Sequence, residues 1–364
     1  MFSTDQFRVF AGAPVDRLLS RPRRLLQEGR RQEAESAYQA LVSTHPDVKQ
    51  GWIEYFAVLR YARRHEDALQ LAEQASEQFG DDALPAALKG AALVELGRFR
   101  EGLTALDEAA CKDPDMAMVW HEAGYAAWRL GELSRALMAL DRAFALEPHS
   151  GTLHLRGKVL RQAGRYLAAE VSFEGAAQAA EFTPQREAAE REIGVTRRYA
   201  AFPGTRPDTL TPARRWFADS GSTPLTGSQG EPASETDVAR AMVTLAQDLG
   251  WRFSVLVALD AWTGWYDLAK ALGVPVAAAM PDDPDAIPLF VARTPGTVTH
   301  WASEVYAPAD RGRGLSLALY QDRTSPPADV TGQLTDQPAH GVDLAFAVEA
   351  AQHPEGRLRG RVLA

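Results

Sequence analysis

Residues 120–148 encode a pair of short helices, and this pair indicates the architecture of the first half of the chain. Apolar residues at helical spacing predict one helix over residues 119–130 and a second over residues 133–146. Gly131 provides the turn between them, and Pro148 stops the second helix. Small residues such as Gly124 lie where the two helices would have to approach closely. The segment therefore predicts a helical hairpin.

The same pattern recurs through the first half of the chain with a period of about 34 residues, which is typical of repeat architectures. Steps of this length back from Trp120 pass through residue 86 and reach Trp52 and then Leu18. A fifth copy, marked by Gly157, begins one residue early. The first copy carries Pro22 where a small residue is expected, so either that copy is degraded or its first helix starts late. About five stacked hairpins are expected.

The order of Trp, small residue, Gly, Ala, large apolar residue and Pro in these copies resembles the tetratricopeptide repeat (TPR). The resemblance covers residues 15–200, preceded by a segment of residues 1–14 and closed by a polar helix that starts at Gln185. It implies an all-α solenoid of helical hairpins, because no single repeat can bury its apolar face alone. It also implies a concave groove, lined by the first helix of each repeat, that holds a segment of a partner protein.

The resemblance also assigns particular residues to this groove. They are Glu54, Arg60, Tyr61, Glu95, His121, Glu122, Tyr125, Trp128, Arg129, His154, Lys158 and Arg161. Trp128 and Tyr125 are the expected anchors, since large aromatic residues often dominate binding energy. The alternative for these residues is packing against the next repeat or against the closing helix. The family's clamp for C-terminal carboxylates is not expected, because Ile53 and Ala57 stand where its first Lys and Asn would be needed.

Composition narrows the class of protein further. A chain of 364 residues predicts about two domains, and its net charge of −9 argues against sequence-independent nucleic-acid binding. The single Cys111 and the absence of a Cys/His cluster predict neither a disulfide nor a zinc site, and no cofactor is indicated. Without a signal-like start or a long apolar run, a cytoplasmic location is expected. Self-association is left open.

The second half of the chain changes character after residue 200. Residues 201–234 are rich in Pro, Gly, Ser and Thr and predict a linker, in which the aromatic patch around Trp216 docks on one of the domains. Residues 235–364 predict an α+β domain with a mixed sheet. This domain starts with a capped helix at Ser234 and continues with a buried strand over residues 253–259.

Short connections in the rest of this domain favour antiparallel strands. The predicted strands cover residues 287–293, 298–306 and 315–320. Residues 343–349 predict either a strand of a final hairpin or, because they are rich in Ala, a helix that extends to Gln352.

Four residues of this domain are candidates for chemistry. Asp260 follows a central strand, where α/β sheets often carry ligands, and Trp265 comes shortly after it. His300 and Glu304 would share one face of a strand and could act as a base and a carboxylate. The simpler interpretation of Asp260 is a turn or helix cap, and a lone His with one carboxylate is weak support for catalysis.

The sequence as a whole favours a non-enzymatic adaptor or scaffold. Its repeats would bind a protein segment, and its C-terminal domain would add a second contact or regulate the first. The alternative is an enzyme or small-ligand sensor in the C-terminal domain, with the repeats selecting its client protein.

Overall fold

The computed structural model describes residues 13–227, 229–303, 305, 314–338 and 340–358. Its contacts divide the chain into two compact units, Met1–Glu190 and Arg191–Ala364. A division into independently folding domains near residue 200 stays a prediction. No helix in the described ranges is long and apolar enough to cross a membrane.

The first unit consists of paired helices. In chain order they are α1 (Ala13–Gln27), α2 (Arg31–Thr44), α3 (Lys49–Tyr61), α4 (His65–Phe79), α5 (Ala83–Glu95), α6 (Phe99–Lys112), α7 (Ala117–Arg129), α8 (Leu133–Leu146), α9 (Ser150–Gln162) and α10 (Tyr166–Gln178), after which α11 (Thr183–Ala200) runs into the second unit. The second helices of the pairs begin at Arg31, His65, Phe99, Leu133 and Tyr166. The first four starts are evenly spaced and the last comes one residue early, so the predicted period and its shift in the fifth copy are confirmed.

Small residues allow the helices of a pair to approach closely, as predicted. A Cβ atom added to Gly124 would lie 2.6 Å from Cγ of Leu140, and one added to Gly90 would lie 2.6 Å from Cγ of Leu106. The same position in the fifth repeat, Gly157, faces the ring of Phe173 at 2.7 Å. Such distances leave no room for a side chain, so these glycines set the packing of their hairpins.

A second repeated contact involves tryptophan. The indole Nε1 of Trp52 donates to the carbonyl of Pro46 at 2.9 Å, and that of Trp120 donates to the carbonyl of Pro114 at 2.8 Å. Each bond links the start of one repeat to the turn that precedes it. Trp52 is buried, whereas Trp120 is only half-buried.

The first repeat is more regular than Pro22 suggested. Helix α1 begins at Ala13 and continues through Pro22 to Gln27, so it does not start late. Leu19 and Leu25 are buried on this helix and provide its apolar contact with the repeat core. Burial of an amphipathic face therefore offsets the hydrogen bond that proline removes.

The second unit is built on a six-stranded sheet. Its strands are β1 (Thr223–Pro224), β2 (Val255–Ala258), β3 (Val276–Ala277), β4 (Pro288–Ala292), β5 (Leu315–Gln321) and β6 (Val330–Leu334), in the spatial order β1-β6-β5-β4-β2-β3. Helices α12 (Pro212–Ser220), α13 (Glu235–Asp248), α14 (Gly264–Leu272) and α15 (Leu344–Gln352) accompany the sheet. The capped helix predicted to start at Ser234 is confirmed as α13, and its cap is a capping box in which Ser234 and Asp237 bond each other's backbone N–H groups.

The predicted mixed sheet with antiparallel connections is wrong, because every strand pair of the sheet is parallel. The chain returns from β5 to β6 within residues 322–329, which is unusually short for a parallel crossover. Asp329 holds this return, since its Oδ2 accepts bonds from the backbone N–H and the hydroxyl of Ser316, both at 2.9 Å. A short connection therefore does not indicate an antiparallel pair here.

Two further predictions for this unit need correction. Residues 301–303 are helical instead of forming a strand over residues 298–306, and Trp301 is buried with its indole bonded to the carbonyl of Pro326. Residues 344–352 form helix α15, so the helical alternative holds. Asp343 caps this helix by accepting a bond from the N–H of Phe346.

Residues 201–234, whose composition predicts a linker, contain α12 and β1, and β1 pairs with β6. The aromatic patch is docked in the second unit. Trp216 and Phe217 are buried, and Phe217 packs edge-on against Phe346 with ring centroids 6.1 Å apart. Pro and Gly at the ends of these short elements gave the stretch its linker-like composition.

Candidate partner-binding surface

The first helices of successive repeats lie side by side. Helix α3 contacts α5, α5 contacts α7, and α7 contacts α9, so these helices form a continuous surface. We call it the first-helix surface. The groove residues expected from the sequence belong to it, and the structure divides them into residues engaged between repeats and residues with accessible side chains.

Glu54, at the start of this surface, contacts side chains of the first two repeats. Its carboxylate accepts bonds from the guanidinium of Arg23, from the hydroxyl of Tyr38 at 2.8 Å and from the amide of Gln50 at 2.9 Å. With this many internal donors, the carboxylate serves to hold helices together.

A charged triad crosses the middle of the surface. Nη2 of Arg60 on α3 lies 2.5 Å from Oε1 of Glu95 on α5 and 2.9 Å from Oε1 of Glu122 on α7. The side chains of Arg60 and Glu122 are only 13% and 5% exposed. Burial raises the pKa of the Glu122 carboxyl, and the charge of Arg60 opposes this rise. The triad therefore links three repeats and leaves Arg60 and Glu122 little capacity to contact a partner.

His121 is also internal. Its Nδ1 lies 3.0 Å from the hydroxyl of Thr152 on α9, and its ring is buried. Burial, assisted by the positive charges of His149 and Arg60, lowers the pKa of His121 to about 3. The ring is therefore neutral at ordinary pH and joins the fourth repeat to the fifth.

An aromatic and cationic cluster occupies the start of α6 and the end of α7. The guanidinium of Arg129 stacks 4.4 Å from the ring centroid of Phe99 and donates to the hydroxyl of Tyr125 at 2.8 Å. Tyr125 packs edge-on against Trp128 with centroids 5.9 Å apart, and the Trp128 indole N–H bonds the side chain of Gln162 on α9. We call Phe99, Tyr125, Trp128 and Arg129 the aromatic cluster.

Accessibility distinguishes this cluster from His121 and Glu122, which are buried. Arg129 is exposed, and Phe99, Tyr125 and Trp128 are each half-buried. Sequence reasoning named three of these residues and missed Phe99, which starts a second helix. The repeat phase could have identified Phe99, because Arg31 and Tyr61, two repeats earlier, are the equivalents of Phe99 and Arg129. They also form a cation–π contact, at 4.9 Å.

The remaining expected residues lie on α9 or at the end of α3. Arg161 and His154 both pack on the ring of Phe173, at 5.6 and 5.4 Å, and they are half-buried, as is Lys158. Tyr61 is exposed beside Arg31. Lys158 and Arg161 thus place two half-buried basic side chains on α9, the helix that contacts α7.

The candidate site in the second unit has a different character. Asp260 lies between the carboxyl ends of β2 and β4, where the strand order reverses direction. Its Oδ1 accepts the indole N–H of Trp265 at 2.7 Å, and its Oδ2 accepts the backbone N–H of Arg293 at 2.6 Å. Trp265 is fully buried. Both carboxylate oxygens thus hold the segments that follow β2 and β4. This agrees with the simpler interpretation of Asp260 as a turn or cap residue.

The other two candidates of this unit are His300 and Glu304, which were expected on one face of a strand. His300 is exposed in a turn, and Glu304 lies outside the described residues. In the parts of the chain that the structure describes, no group of three or more His, Cys, Asp or Glu side chains could hold a metal ion.

Comparison with known proteins gives a likeness of fold in the repeat region. No protein-family model and no curated protein sequence matches the chain. Similar solved structures include a thermophilic TPR protein of Thermus thermophilus, with 17% identity and a TM-score of 0.44 over 49% of this chain and 98% of that one. Another is pilF of Pseudomonas aeruginosa, with 15% identity and a TM-score of 0.40 over 52% and 93% of the two chains.

A third is YrrB, described as a TPR protein with an unusual peptide-binding site, with 14% identity and a TM-score of 0.35 over 48% and 90% of the two chains. The regular spacing of the second helices, the glycines at their contacts and the row of first helices are all features of this chain itself. By these features, residues 13–178 form a TPR-like helical repeat region.

Proposed function

We propose that this protein is a cytoplasmic adaptor that binds a segment of a partner protein on the first-helix surface, around the aromatic cluster. The second unit adds a contact or regulates the first, and the partner is a protein or peptide, not a nucleic acid. The chain's net charge of −9 supports this choice of partner.

The observation that carries the proposal is the accessibility of the aromatic cluster, which adjoins residues such as His121 and Glu122 that are buried between repeats. Large aromatic side chains and arginine are the residues that most often supply binding energy at interfaces. Trp128 and Tyr125 are held by contacts with each other and with Gln162 and Arg129. Because these contacts fix their rotamers, little side-chain entropy would be lost on binding.

The charges beside the cluster indicate the kind of segment that fits. The Arg129 guanidinium is already oriented by Phe99 and Tyr125, and two more basic residues, Lys158 and Arg161, follow on α9. A planar guanidinium is well suited to bidentate contact with a carboxylate. The expected ligand therefore carries an apolar anchor for Trp128 and, next to it, Asp or Glu.

The alternative function, an enzyme or sensor in the second unit, is not favoured. It relied on Asp260 as a group available to a ligand, whereas both oxygens of that carboxylate accept internal bonds. A structural role accounts for the position of Asp260 at the sheet edge.

The proposal is tested by affinity capture with the full-length chain and two variants. Trp128→Ala removes the anchor, and Tyr266→Ala removes an exposed aromatic side chain from the second unit as a matched control. We expect Trp128→Ala to weaken binding of the captured partner by about 2 kcal/mol or more, mainly through faster dissociation, and Tyr266→Ala to have no effect. If both variants bind the partner as well as the wild type does, the first-helix surface is not the binding site.

Charge gives a second readout on the same partner. Added salt screens exposed charges, so it should slow association without changing dissociation much. Replacement of Arg129, Lys158 and Arg161 by Ala should abolish this salt dependence of the association rate. An association rate that stays equally sensitive to salt in the triple variant would contradict the acidic-ligand assignment.

A further inference from the structure

Two arginines of the repeat region are held in the same way. The guanidinium of Arg31 stacks 4.9 Å from the ring centroid of Tyr61, and its Nη2 donates to the Tyr61 hydroxyl at 3.2 Å. The guanidinium of Arg129 stacks on the ring of Phe99 and donates to the hydroxyl of Tyr125. In both places an aromatic ring supports the guanidinium and a tyrosine hydroxyl accepts one of its N–H groups.

The two contacts occupy equivalent places two repeats apart. Arg31 and Phe99 each begin a second helix, α2 and α6, while Tyr61 and Arg129 each end a first helix, α3 and α7. The arginine and the ring have exchanged positions between the two contacts. We call Arg31 and Tyr61 the Arg31 site. Its side chains are open to solvent, since Arg31 is exposed and Tyr61 is 56% exposed.

These two arginines also differ from other arginines at the hairpin turns. Several of those are paired with a carboxylate three residues further along the chain, namely in Arg30–Glu33, Arg64–Asp67 and Arg98–Glu101. Arg31 and Arg129 form no ion pair with any residue that the structure describes. A guanidinium that is oriented by a ring and lacks a carboxylate loses little freedom when it takes one in a bidentate contact.

We propose that the Arg31 site binds the same partner segment as the aromatic cluster, so that this segment carries two carboxylates, each beside an apolar residue. This inference rests on the proposed function and specifies its ligand. One carboxylate contacts Arg129, as already described, and the other contacts Arg31, while Tyr61 provides the apolar contact beside it.

The distance between the two sites sets the spacing of the two carboxylates. Helix α3 contacts α5, and α5 contacts α7. Packed helices lie about 8 to 10 Å apart, so two such steps cover about 16 to 20 Å. An extended chain rises about 3.3 Å per residue and covers this distance in about six residues. An even number also places both carboxylates on the same face of the segment.

The surface between the two sites favours an extended segment. Glu95 ends α5, is the equivalent of Tyr61 and Arg129, and has a side chain that is 37% exposed and bonded to Arg60. A bound helix would need a continuous apolar stripe here. An extended segment instead presents backbone N–H groups, which an exposed carboxylate accepts. Glu95 also repels a carboxylate placed midway, so the acidic residues belong at the two ends.

The experiment uses two labelled synthetic peptides of identical composition, FDGSGSFD and FDGFDGSS, whose Asp residues are six and three positions apart. Fluorescence anisotropy measures their binding to the full-length chain. We expect the first peptide to bind at least about tenfold more tightly, because only that peptide reaches both sites. Arg31→Gln and Tyr61→Ala should each remove this difference, and Trp128→Ala should weaken binding of both peptides.

A matched control and the possible outcomes complete the test. Arg252→Gln removes the same charge from an exposed position of the second unit and should change neither affinity. Circular dichroism checks that the variants keep their helices. Equal affinities of the two peptides, both lowered by Trp128→Ala, would overturn the Arg31 site and leave the proposed function standing, as would a difference that survives both Arg31→Gln and Tyr61→Ala. Failure of both peptides to bind at about 1 mM, or binding of both that is unaffected by Trp128→Ala, would overturn this inference together with the acidic ligand.

Discussion

The buried His121 predicts a specific loss of stability in mild acid. Its ring lies between α7 and α9, bonded to Thr152, and its pKa of about 3 results from burial and from the nearby positive charges of His149 and Arg60. In the unfolded chain the same ring has its ordinary pKa of about 6.5. Between these two values the unfolded chain binds a proton that the folded chain excludes.

The sign and size of the effect follow from proton linkage. Because the unfolded state binds more protons, stability falls as the pH falls below about 6.5, by at most about 1.4 kcal/mol per pH unit for one group. Integrated with pKa values of about 3 and 6.5, the loss between pH 7 and pH 5 is about 2 kcal/mol. This is a large share of the marginal stability of a typical domain.

The assay compares urea unfolding of three chains, followed by far-UV circular dichroism, at pH 7 and pH 5. His121→Gln keeps a side chain that can bond Thr152 but does not titrate, and His300→Gln is the exposed control. When the pH falls from 7 to 5, the free energy of unfolding of His121→Gln should rise by about 2 kcal/mol relative to that of the wild type, whereas that of the control should not change relative to the wild type. If the wild type and His121→Gln show the same pH dependence, the ring is not held neutral and the argument is refuted.

Four further substitutions should lower the free energy of unfolding by amounts that urea unfolding can measure. Arg60→Met should cost about 3 to 5 kcal/mol because it leaves the buried Glu122 carboxylate unpaired. The double variant with Glu122→Leu should recover most of that loss. Equal stability of the single and double variants would refute the triad's role. Trp52→Ala should cost about 3 to 5 kcal/mol, and Trp120→Ala distinctly less because its side chain is only half-buried; the reverse order would contradict the packing described. Asp260→Ala should cost about 1 to 3 kcal/mol by leaving a buried indole N–H without an acceptor, and an unchanged midpoint would show that water replaces the carboxylate.

The helical repeats were predictable because their signal is local and repeated. Gly124 meets Leu140 on the other helix of the same hairpin, and the same contact recurs with Gly90 and Leu106. A pattern of this kind identifies the two helices of each hairpin and the residues that pack between them. The antiparallel prediction for the second unit failed because strand direction depends on how the chain returns. The return from β5 to β6 takes only residues 322–329, and side-chain bonds such as the one from Ser316 to Asp329 stabilise it, which a connection length alone does not reveal.

The candidate surface was predictable in position but not in chemistry. The repeat phase places Arg60, His121 and Glu122 on first helices, yet it does not show that Arg60 bonds a carboxylate two repeats further along the chain. Pairings across three repeats depend on side-chain reach and burial, which a repeat pattern does not encode. Exposure of the aromatic cluster likewise follows from the fold, which leaves Trp128 half-buried although its indole bonds Gln162 of the next repeat, and buries His121 and Glu122.

The central claim is that a protein segment binds at the aromatic cluster, and site-specific photocrosslinking measures this most directly. A photoreactive phenylalanine analogue is placed at Trp128 in one full-length chain and at Tyr266 in another, and each is irradiated with the captured partner. We predict crosslinks from position 128 to a partner segment that carries an apolar residue beside Asp or Glu, and none from position 266. A partner that binds both chains but crosslinks only from position 266 would contradict the claim.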